Sequence, residues 1–257
     1  MQKYEITENI LGRGKFGIVK SGINKKTKEL VAIKMGYINS PINALKHEAT
    51  VLNYLYSRKC RCVPIIYWYG LYEQCPVIVM PLYTISLATI YSHSQKGGVT
   101  EKNMDNIDRI MAQLIGLIEI IHDLYIIHRD LKPENIMYKK GEFIVIDFGL
   151  ATSYMIDDVH ILQTDDICDI IGSPKYMSMN VHAGITPTRR DDMISLGYIY
   201  LYMKGCYNIN SVEAKTMENI ANIAIFPDCE KIIGFLDEFY RMGFDERPDY
   251  AKWKSII

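Results

Sequence analysis

The sequence lacks an excess of charge of either sign. Its 29 Lys and Arg residues stand against 30 Asp and Glu residues, which gives a formal net charge of -1 at pH 7. A protein so close to neutrality has no overall field that would hold nucleic acid or an anionic membrane. We therefore expect neither of these as a partner, and any binding of phosphate groups has to be local.

Long apolar runs are missing as well. The most apolar stretch, LIGLIEIIHDLYII, is interrupted by Glu119, His122 and Asp123 and is too short to span a bilayer. The first residues, MQKYEITENI, lack the apolar core behind basic residues that marks a secretory signal. These two absences predict a cytoplasmic or nuclear protein.

Cysteines at metal-site spacing are scarce. Only Cys60 and Cys62 of the six cysteines are close in sequence, and no second pair follows at the spacing of a zinc site. Free thiols in a reducing compartment are therefore the expected state, and a metal at this C-R-C is the less favoured alternative. Internal repeats are also absent, and 257 residues suffice for one large domain or two small lobes.

What the sequence does have is a change of pattern part-way along. Short β-prone runs come first, at 4–11, 17–23, 30–36, 65–71 and 76–82. A helical pattern at 42–56 lies among them, and later helical patterns begin near Thr100, Asp192 and Glu230. The pattern predicts an α+β chain with a β-rich part, 1–82, and a mainly helical part, 83–257, joined by MPLYTIS as a hinge.

Three glycines, Gly12, Gly14 and Gly17, lie between two strand-like runs in ILGRGKFGIV. A dinucleotide-binding glycine motif needs a helix after it, and here a strand follows. A strand–turn–strand of this kind can form a lid whose backbone N–H groups approach phosphates without clashes from Cβ atoms. A plain glycine-rich hairpin turn remains the alternative.

Lys34 ends the apolar strand VAIK, where an inward lysine is costly unless an anion pairs with it. Glu48, flanked by apolar positions of the helical pattern, is the predicted partner. A Lys34–Glu48 ion pair would aim the ammonium at the phosphates of a nucleotide. For Lys34 taken alone, a surface lysine with an extended side chain is the alternative.

The segment IIHRDLKPENIM holds the strongest chemical pattern. Its proline and charges exclude a strand or a continuous helix, which predicts a loop with convergent side chains. Asp130 can accept the proton of an attacking hydroxyl, and Lys132 can neutralise a transferring phosphoryl group. The amide oxygen of Asn135 suits a divalent cation, and Asp147, at the end of the strand in IVIDFGLA, adds a carboxylate for Mg²⁺.

The order GxGxFGxV, VAIK, HRDLKPEN and DFG resembles the eukaryotic protein kinases over essentially the whole chain. The resemblance implies a two-lobed α+β fold, with a small β-rich N-lobe that holds one main helix and a larger, mostly α-helical C-lobe. It also implies ATP and Mg²⁺ as cofactors and proteins as substrates, and we expect a monomer. Lysine within HRDLKPEN is typical of the serine/threonine branch.

Further motifs resemble one kinase family more closely. Ser178-Met179-Asn180 replaces the usual Ala-Pro-Glu, and GSPKY, RRDDxxSLGY and FDERPDY accompany it. These features are similar to the casein kinase I family, and less closely to the vaccinia-related kinases. The resemblance implies a minimal catalytic domain that phosphorylates Ser and Thr. A pseudokinase that acts as a binding or scaffold module is the alternative of a different class, although Lys34, Asp130, Asn135 and Asp147 are all present.

For the nucleotide, the resemblance makes Met80 the gatekeeper at the back of the adenine pocket. The carbonyl of Pro81 and the N–H of Tyr83 would hydrogen-bond the adenine edge. Ile18 and Ala32 would line its apolar walls, and Ala32 is simple core if the strand phase differs.

For the catalytic loop, the resemblance implies that Asp192 accepts hydrogen bonds from the backbone of the His128–Arg129 turn. It also places Arg129 where many kinases bind a phosphorylated residue, and here an acidic run or no partner at all would take that role. We expect the neighbouring charges, Arg189, Arg190 and Asp191, to form an ion-pair set, with a solvated charge run as the alternative.

Lys175 in GSPKY matches a position with which casein kinase I enzymes bind an anion, which implies acidic or pre-phosphorylated substrates. Five aspartates oppose this expectation because they would repel an acidic peptide: Asp157, Asp158, Asp165, Asp166 and Asp169. Lys215 is what remains of a further basic cluster that the family carries after its central helix.

Overall fold

The computed structural model describes residues 1–14, 17–37, 44–94, 101–165, 170–206, 213–223, 226 and 228–257. The predicted helix cap at Thr100 and two aspartates of the acidic run, Asp166 and Asp169, lie outside the described residues. The chain divides into two compact units. The first unit is Met1–Ile85 with Met137–Leu150, and the second is Ser86–Ile136 with Ala151–Ile257. The sequence pattern did not assign 137–150 to the first part.

The described strands are β1 Tyr4–Gly14, β2 Gly17–Asn24, β3 Leu30–Gly36, β4 Trp68–Tyr72, β5 Cys75–Pro81, β6 Ile85–Ser86, β7 Ile126–Ile127, β8 Ile136–Lys139, β9 Glu142–Val145, β10 Thr152–Ser153, β11 Met155–Ile156 and β12 Val159–His160. The described helices are α1 Ala44–Ser57, α2 Leu87–Ser94, α3 Glu101–His122, α4 Met179–His182, α5 Arg189–Met203, α6 Met217–Ile223, α7 Cys229–Arg241 and α8 Tyr250–Ile256. The predicted α+β class is confirmed, although six short strands, β7–β12, follow the helix α3. None of the helices in the described ranges combines the length and apolar character needed to cross a membrane.

The first unit is an antiparallel sheet with strand order β1-β2-β3-β5-β4 and one main helix, α1. Its two faces carry separate apolar clusters because side chains alternate along each strand. Ala32, Ile78 and Met80 pack with residues of α1 on one face. Val31 and Val79 belong to the cluster on the other face. The register pairs Val19 with Lys34 and Ile18 with Met35, so Val19 shares the face of Lys34.

The second unit is built around α3 and α5, with α8 packed on α3 and α7 packed on α5. Helix α5 is buried on every side, from Arg189 to Met203, with Tyr202 its one partly exposed residue. It begins at Arg189 and not near Asp192 as predicted, because Thr188 and Asp191 form a capping box at its start. The charged block therefore lies inside the first turn of a core helix.

Candidate active site

Lys34 lies in a cluster of charges within the first unit. Its Nζ is 2.7 Å from Oε2 of Glu48, which confirms the predicted ion pair. Nζ is also 2.6 Å from Oδ1 of Asp147, a contact that the sequence did not predict. Burial alone would lower the pKa of Lys34, but the charges of Glu48 and Asp147 raise it well above its usual range. Lys34 therefore remains a cation at neutral pH.

Asp147 is placed by the short 3-10 helix that follows it, Phe148–Leu150, which packs against α1. Phe148 is fully buried, and Asp147 itself has a left-handed backbone with φ 67°. Its side chain is 41% exposed although one oxygen binds Lys34. A half-exposed carboxylate beside an ammonium is suited to bind a metal ion that carries phosphates.

The glycine-rich strands of the first unit show two different needs for glycine. A Cβ at Gly17 would lie 2.1 Å from the carbonyl oxygen of Met35, so only glycine permits the pairing of β2 with β3. A Cβ at Gly12 or Gly14 would meet nothing within 4 Å among the described residues. Among the described residues, packing therefore does not require glycine at these two positions.

The register corrects one predicted wall residue. Ile18 pairs with Met35 and lies on the face opposite to Lys34, whereas Val19 pairs with Lys34 itself. Because side chains alternate along a strand, only Val19 can share a binding surface with the ammonium. The sequence pattern marked the correct strand and the wrong residue within it.

The predicted hinge residues follow the end of β5. Met80 and Ala32 are cross-strand partners, each 8% exposed, in the cluster that includes α1. Pro81 ends the strand and is buried, and Tyr83 lies just beyond it. Burial raises the pKa of Tyr83 to about 12. The hydrogen bonds from Pro81 and Tyr83 to a nucleotide stay predictions.

The loop in the second unit brings its three predicted residues together. Nζ of Lys132 donates to Oδ2 of Asp130 at 2.7 Å, and Nδ2 of Asn135 donates to the carbonyl oxygen of Asp130 at 2.9 Å. The same Nδ2 lies 3.3 Å from Oδ2 of Asp130. The amide nitrogen of Asn135 is thus spent within the loop, which leaves its oxygen for a cation.

Only one of the two carboxylate oxygens of Asp130 has a hydrogen-bond partner among the described residues. Asp130 is 9% exposed, and its Oδ1 has no hydrogen-bond partner among the described residues. A buried carboxylate oxygen without a donor is costly unless a ligand supplies one. Asp130 is therefore arranged to accept a hydrogen bond from a hydroxyl that binds beside it.

Asp192, in the first turn of α5, holds the backbone of this loop. It accepts hydrogen bonds from the backbone N–H of His128 at 2.7 Å and of Arg129 at 2.9 Å, as predicted. Arg129 has a left-handed backbone with φ 68°, a conformation that needs such support. Burial opposes the ionisation of Asp192. The hydrogen bond and charge of His122, with the charge and backbone N–H of His128, nevertheless lower the pKa of Asp192 below its usual range.

His122 links Asp192 to the last helix, which the sequence did not predict. Its Nε2 is 3.1 Å from Asp192 and its Nδ1 is 2.7 Å from the hydroxyl of Tyr250 in α8. All three side chains are buried. The support of the catalytic loop therefore extends through two further residues.

The expected ion-pair set at the start of α5 is replaced by hydrogen bonds. Arg189 donates to the carbonyl oxygen of Asp245 at 2.5 Å, and Arg190 donates to that of Met242 at 2.7 Å. Asp191 accepts from the hydroxyl of Ser178 at 2.5 Å, and burial raises its pKa. The two arginines brace the chain after α7 because the first turn of a buried helix has no access to solvent.

Two predicted substrate-side lysines have different surroundings. The Nζ of Lys175 lies 5.6 Å from the ring centre of Tyr176 and 5.2 Å from that of Tyr202. Lys215 is fully buried, so it is not part of a basic surface cluster as expected. Asp157 and Asp158 are exposed in the turn between β11 and β12.

A family model for the protein kinase domain matches residues 4–242 of the chain. The match includes the Lys34–Glu48–Asp147 cluster of the first unit and the Asp130 loop of the second. The β-rich and helical parts are thus the N-lobe and C-lobe of this fold. The chain belongs to the protein kinase family, whose members transfer phosphate from ATP.

Proposed function

We propose that the protein is a serine/threonine protein kinase of the casein kinase I type. It transfers the γ-phosphate of ATP to Ser and Thr hydroxyls of protein substrates. The observation that carries this proposal is the state of Asp130. One of its carboxylate oxygens is bonded within the loop, and the other is buried with no donor among the described residues.

In this proposal the substrate hydroxyl donates to Oδ1 of Asp130. The hydroxyl oxygen forms a bond to the γ-phosphorus, the bond from that phosphorus to the leaving ADP oxygen breaks, and the proton passes to Asp130. Lys132 stabilises the developing charge, and its Nζ also donates to Oγ of Ser173 at 2.9 Å. The lysine thereby joins the catalytic loop to the segment that would receive substrate.

The residues present fit ATP and Mg²⁺. The glycine-rich strands would bring backbone N–H groups to the phosphates, and Lys34 supplies a permanent cation. Asp147 and the amide oxygen of Asn135 would hold Mg²⁺, which when bound neutralises the charge of the phosphates. The residues of the chain thus divide the work, since those of the first unit bind phosphates and those of the loop orient the acceptor.

The casein kinase I assignment is supported by the segment that replaces Ala-Pro-Glu. Ser178 caps α4 by accepting from the N–H of Val181, and its hydroxyl donates to Asp191. Lys175 supports a preference for an acidic or phosphorylated residue before the acceptor. Asp157 and Asp158 oppose this preference because they would repel an acidic peptide. A measurement of substrate preference therefore tests the casein kinase I assignment and does not test the kinase activity itself.

The experiment is phosphate transfer to casein and to arrayed peptides from radiolabelled ATP, with Asp147→Asn as the control. We expect label on Ser and Thr, none on Tyr, and more label on peptides with an acid or phosphate upstream. Equal labelling of neutral and acidic peptides would contradict the casein kinase I type. Transfer no greater than that of the control would favour a binding module instead.

A further inference from the structure

A buried lysine outside the predicted catalytic set holds the segment that carries Lys175. Lys215 ends a short 3-10 helix, Glu213–Lys215, and its side chain is inaccessible to solvent. Its Nζ donates to the carbonyl oxygens of Pro174 at 2.5 Å and of Met177 at 2.6 Å. It also lies 3.1 Å from Nε2 of His182. An ammonium has three N–H donors, and the two carbonyls use two of them. Nε2 of His182 also lies 3.2 Å from the carbonyl oxygen of Pro174.

The two carbonyls bonded to Lys215 lie on either side of Lys175 and Tyr176. Other hydrogen bonds close the turn between them. The backbone N–H groups of Tyr176 and Met177 donate to the carbonyl oxygen of Ser173 at 3.0 and 3.1 Å. The hydroxyl of Ser195 donates to the carbonyl oxygen of Tyr176 at 2.8 Å. The carbonyls of Pro174, Tyr176 and Met177 are thus bonded by donors from outside the turn, and Lys215 bonds two of the three.

The same turn reaches the catalytic loop through its first residue. Nζ of Lys132 donates to Oγ of Ser173 at 2.9 Å and to Oδ2 of Asp130 at 2.7 Å. Pro174, which Lys215 holds, is the next residue along the chain. Two lysines thus fix consecutive residues of the turn, one from the catalytic loop and the other from the interior.

The surroundings of Lys215 explain why its charge is kept. A buried ammonium costs free energy, and an apolar side chain would fill the same space at lower cost. Its Nζ lies 5.0 Å from the ring centre of Tyr198, and the acceptors it binds are the backbone carbonyls of Pro174 and Met177. What the ammonium adds over an apolar residue is a fixed position for these carbonyls.

We propose that Lys215 is a positioning residue for substrate binding. It holds the turn Ser173–Met177 so that Lys175 and the Ser173 hydroxyl remain in place for the substrate. This inference rests on the proposed kinase activity, because it assigns the turn to substrate.

The test compares Lys215→Met with Lys204→Met, which also removes a buried lysine from the second unit. Lys204 has a side chain 3% exposed, and it pairs at 3.2 Å with Asp108, which lies in α3 and not in the turn. With a peptide derived from casein, we expect Lys215→Met to raise the peptide KM about tenfold, because a charge-assisted hydrogen bond is lost. The KM for ATP stays unchanged, and Lys204→Met leaves both KM values unchanged.

A second variant separates positioning from packing. Lys215→Gln retains two N–H donors, so its peptide KM should lie between those of the wild type and Lys215→Met. This variant also serves if Lys215→Met does not fold. A peptide KM that rises equally in Lys215→Met and Lys204→Met would overturn the proposal, as would an unchanged KM in both Lys215 variants.

Hydrogen exchange gives a readout that does not need activity. The amides of Tyr176 and Met177 should exchange faster in Lys215→Met and at the wild-type rate in Lys204→Met. If the wild type transfers no phosphate but these amides respond, the kinase proposal fails and the positioning role stands. If the wild type is active and exchange is the same in all variants, the positioning role fails and the kinase proposal stands.

Discussion

Lys34 in the first unit and Lys215 in the second are both largely shielded from solvent, and the two lysines are used in opposite ways. Lys34 binds two carboxylates, which raise its pKa above the usual range. Lys215 binds two backbone carbonyls, and burial lowers its pKa to about 8. Lys34 is therefore a permanent charge available to phosphates, whereas Lys215 is a set of donors that shapes the backbone. Lys34 thus serves to bind negative charge, and Lys215 serves to fix the backbone of a turn.

The largest expected effect comes from the loop of the second unit. Asp130→Asn removes the proton acceptor and should lower kcat by about 10²–10⁴-fold, the usual contribution of a general base. The KM for ATP should stay within about twofold of the wild type, because phosphate binding belongs to the first unit. Steady-state kinetics with casein measures both. A large rise in the ATP KM would break the division between the units.

The next effect comes from the charge cluster of the first unit. Lys34→Met leaves Glu48 and Asp147 without their shared cation and should lower kcat/KM for ATP about a hundredfold. Lys20→Met is the matched control, since Lys20 pairs with Ile33 on the other face of the sheet. It should retain wild-type kinetics. Equal losses in the two variants would show that sheet stability, and not the charge, is responsible.

A smaller effect tests the face of β2. Val19→Ala should raise the KM for ATP about fivefold through lost apolar contact, since Val19 shares the face of Lys34. Ile18→Ala removes a similar side chain from the opposite face and should leave the ATP KM unchanged. The reverse order would restore the residue that the sequence pattern favoured.

A pH series sharpens the comparison between the lysines. As pH rises through about 8, Lys215 loses a proton and with it one donor, so the peptide KM should rise a few-fold. The groups in contact with it do not titrate there. Burial, with the charge of Lys215, lowers the pKa of His182, and burial raises that of Tyr198. Lys215→Met should show no such rise.

The sign for stability is opposite to that for binding. Above about 8 the folded chain has lost a proton that the unfolded chain keeps up to about 10.5. The free energy of unfolding of the wild type should therefore rise with pH in this window relative to Lys215→Met. Thermal melting of the two proteins at pH 7 and pH 9 measures this difference. A relative fall in the melting temperature of the wild type would contradict the lowered pKa.

The smallest expected effect is none. The Nε of Arg129 is buried and has no hydrogen-bond partner among the described residues, while its backbone is held by Asp192. We expect the recombinant protein to keep its activity after phosphatase treatment, because the loop is already fixed. Loss of activity that an upstream kinase restores would show that Arg129 needs a phosphate.

The sequence predicted most of the local structure and the local chemistry. The strands β1–β5, the helix α1 and the Lys34–Glu48 pair lie close to where the patterns placed them, because their residues are close in sequence. The contact between Lys34 and Asp147 joins residues 113 positions apart, which no local pattern indicates. The prediction of Ile18 as a wall residue did not place it on the face of Lys34, because the face depends on strand register, which periodicity does not give.

The charged block and Lys215 show a second limit of sequence patterns. Charged residues are usually exposed or paired with opposite charges, so Arg189 and Arg190 were expected in an ion-pair set and Lys215 in a basic cluster. Burial of each depends on backbone carbonyls supplied by distant segments. Every residue has a backbone carbonyl, so the sequence does not show which carbonyls will accept hydrogen bonds from a buried Arg or Lys.

The bond between His122 and Tyr250 changes how the motif FDERPDY is understood. Its last tyrosine lies 128 residues from His122 along the chain and reaches the catalytic turn through that imidazole and Asp192. A substitution of Tyr250 should therefore slow phosphate transfer, although it changes no residue that contacts the substrate. Helix α8 therefore takes part in supporting the catalytic loop.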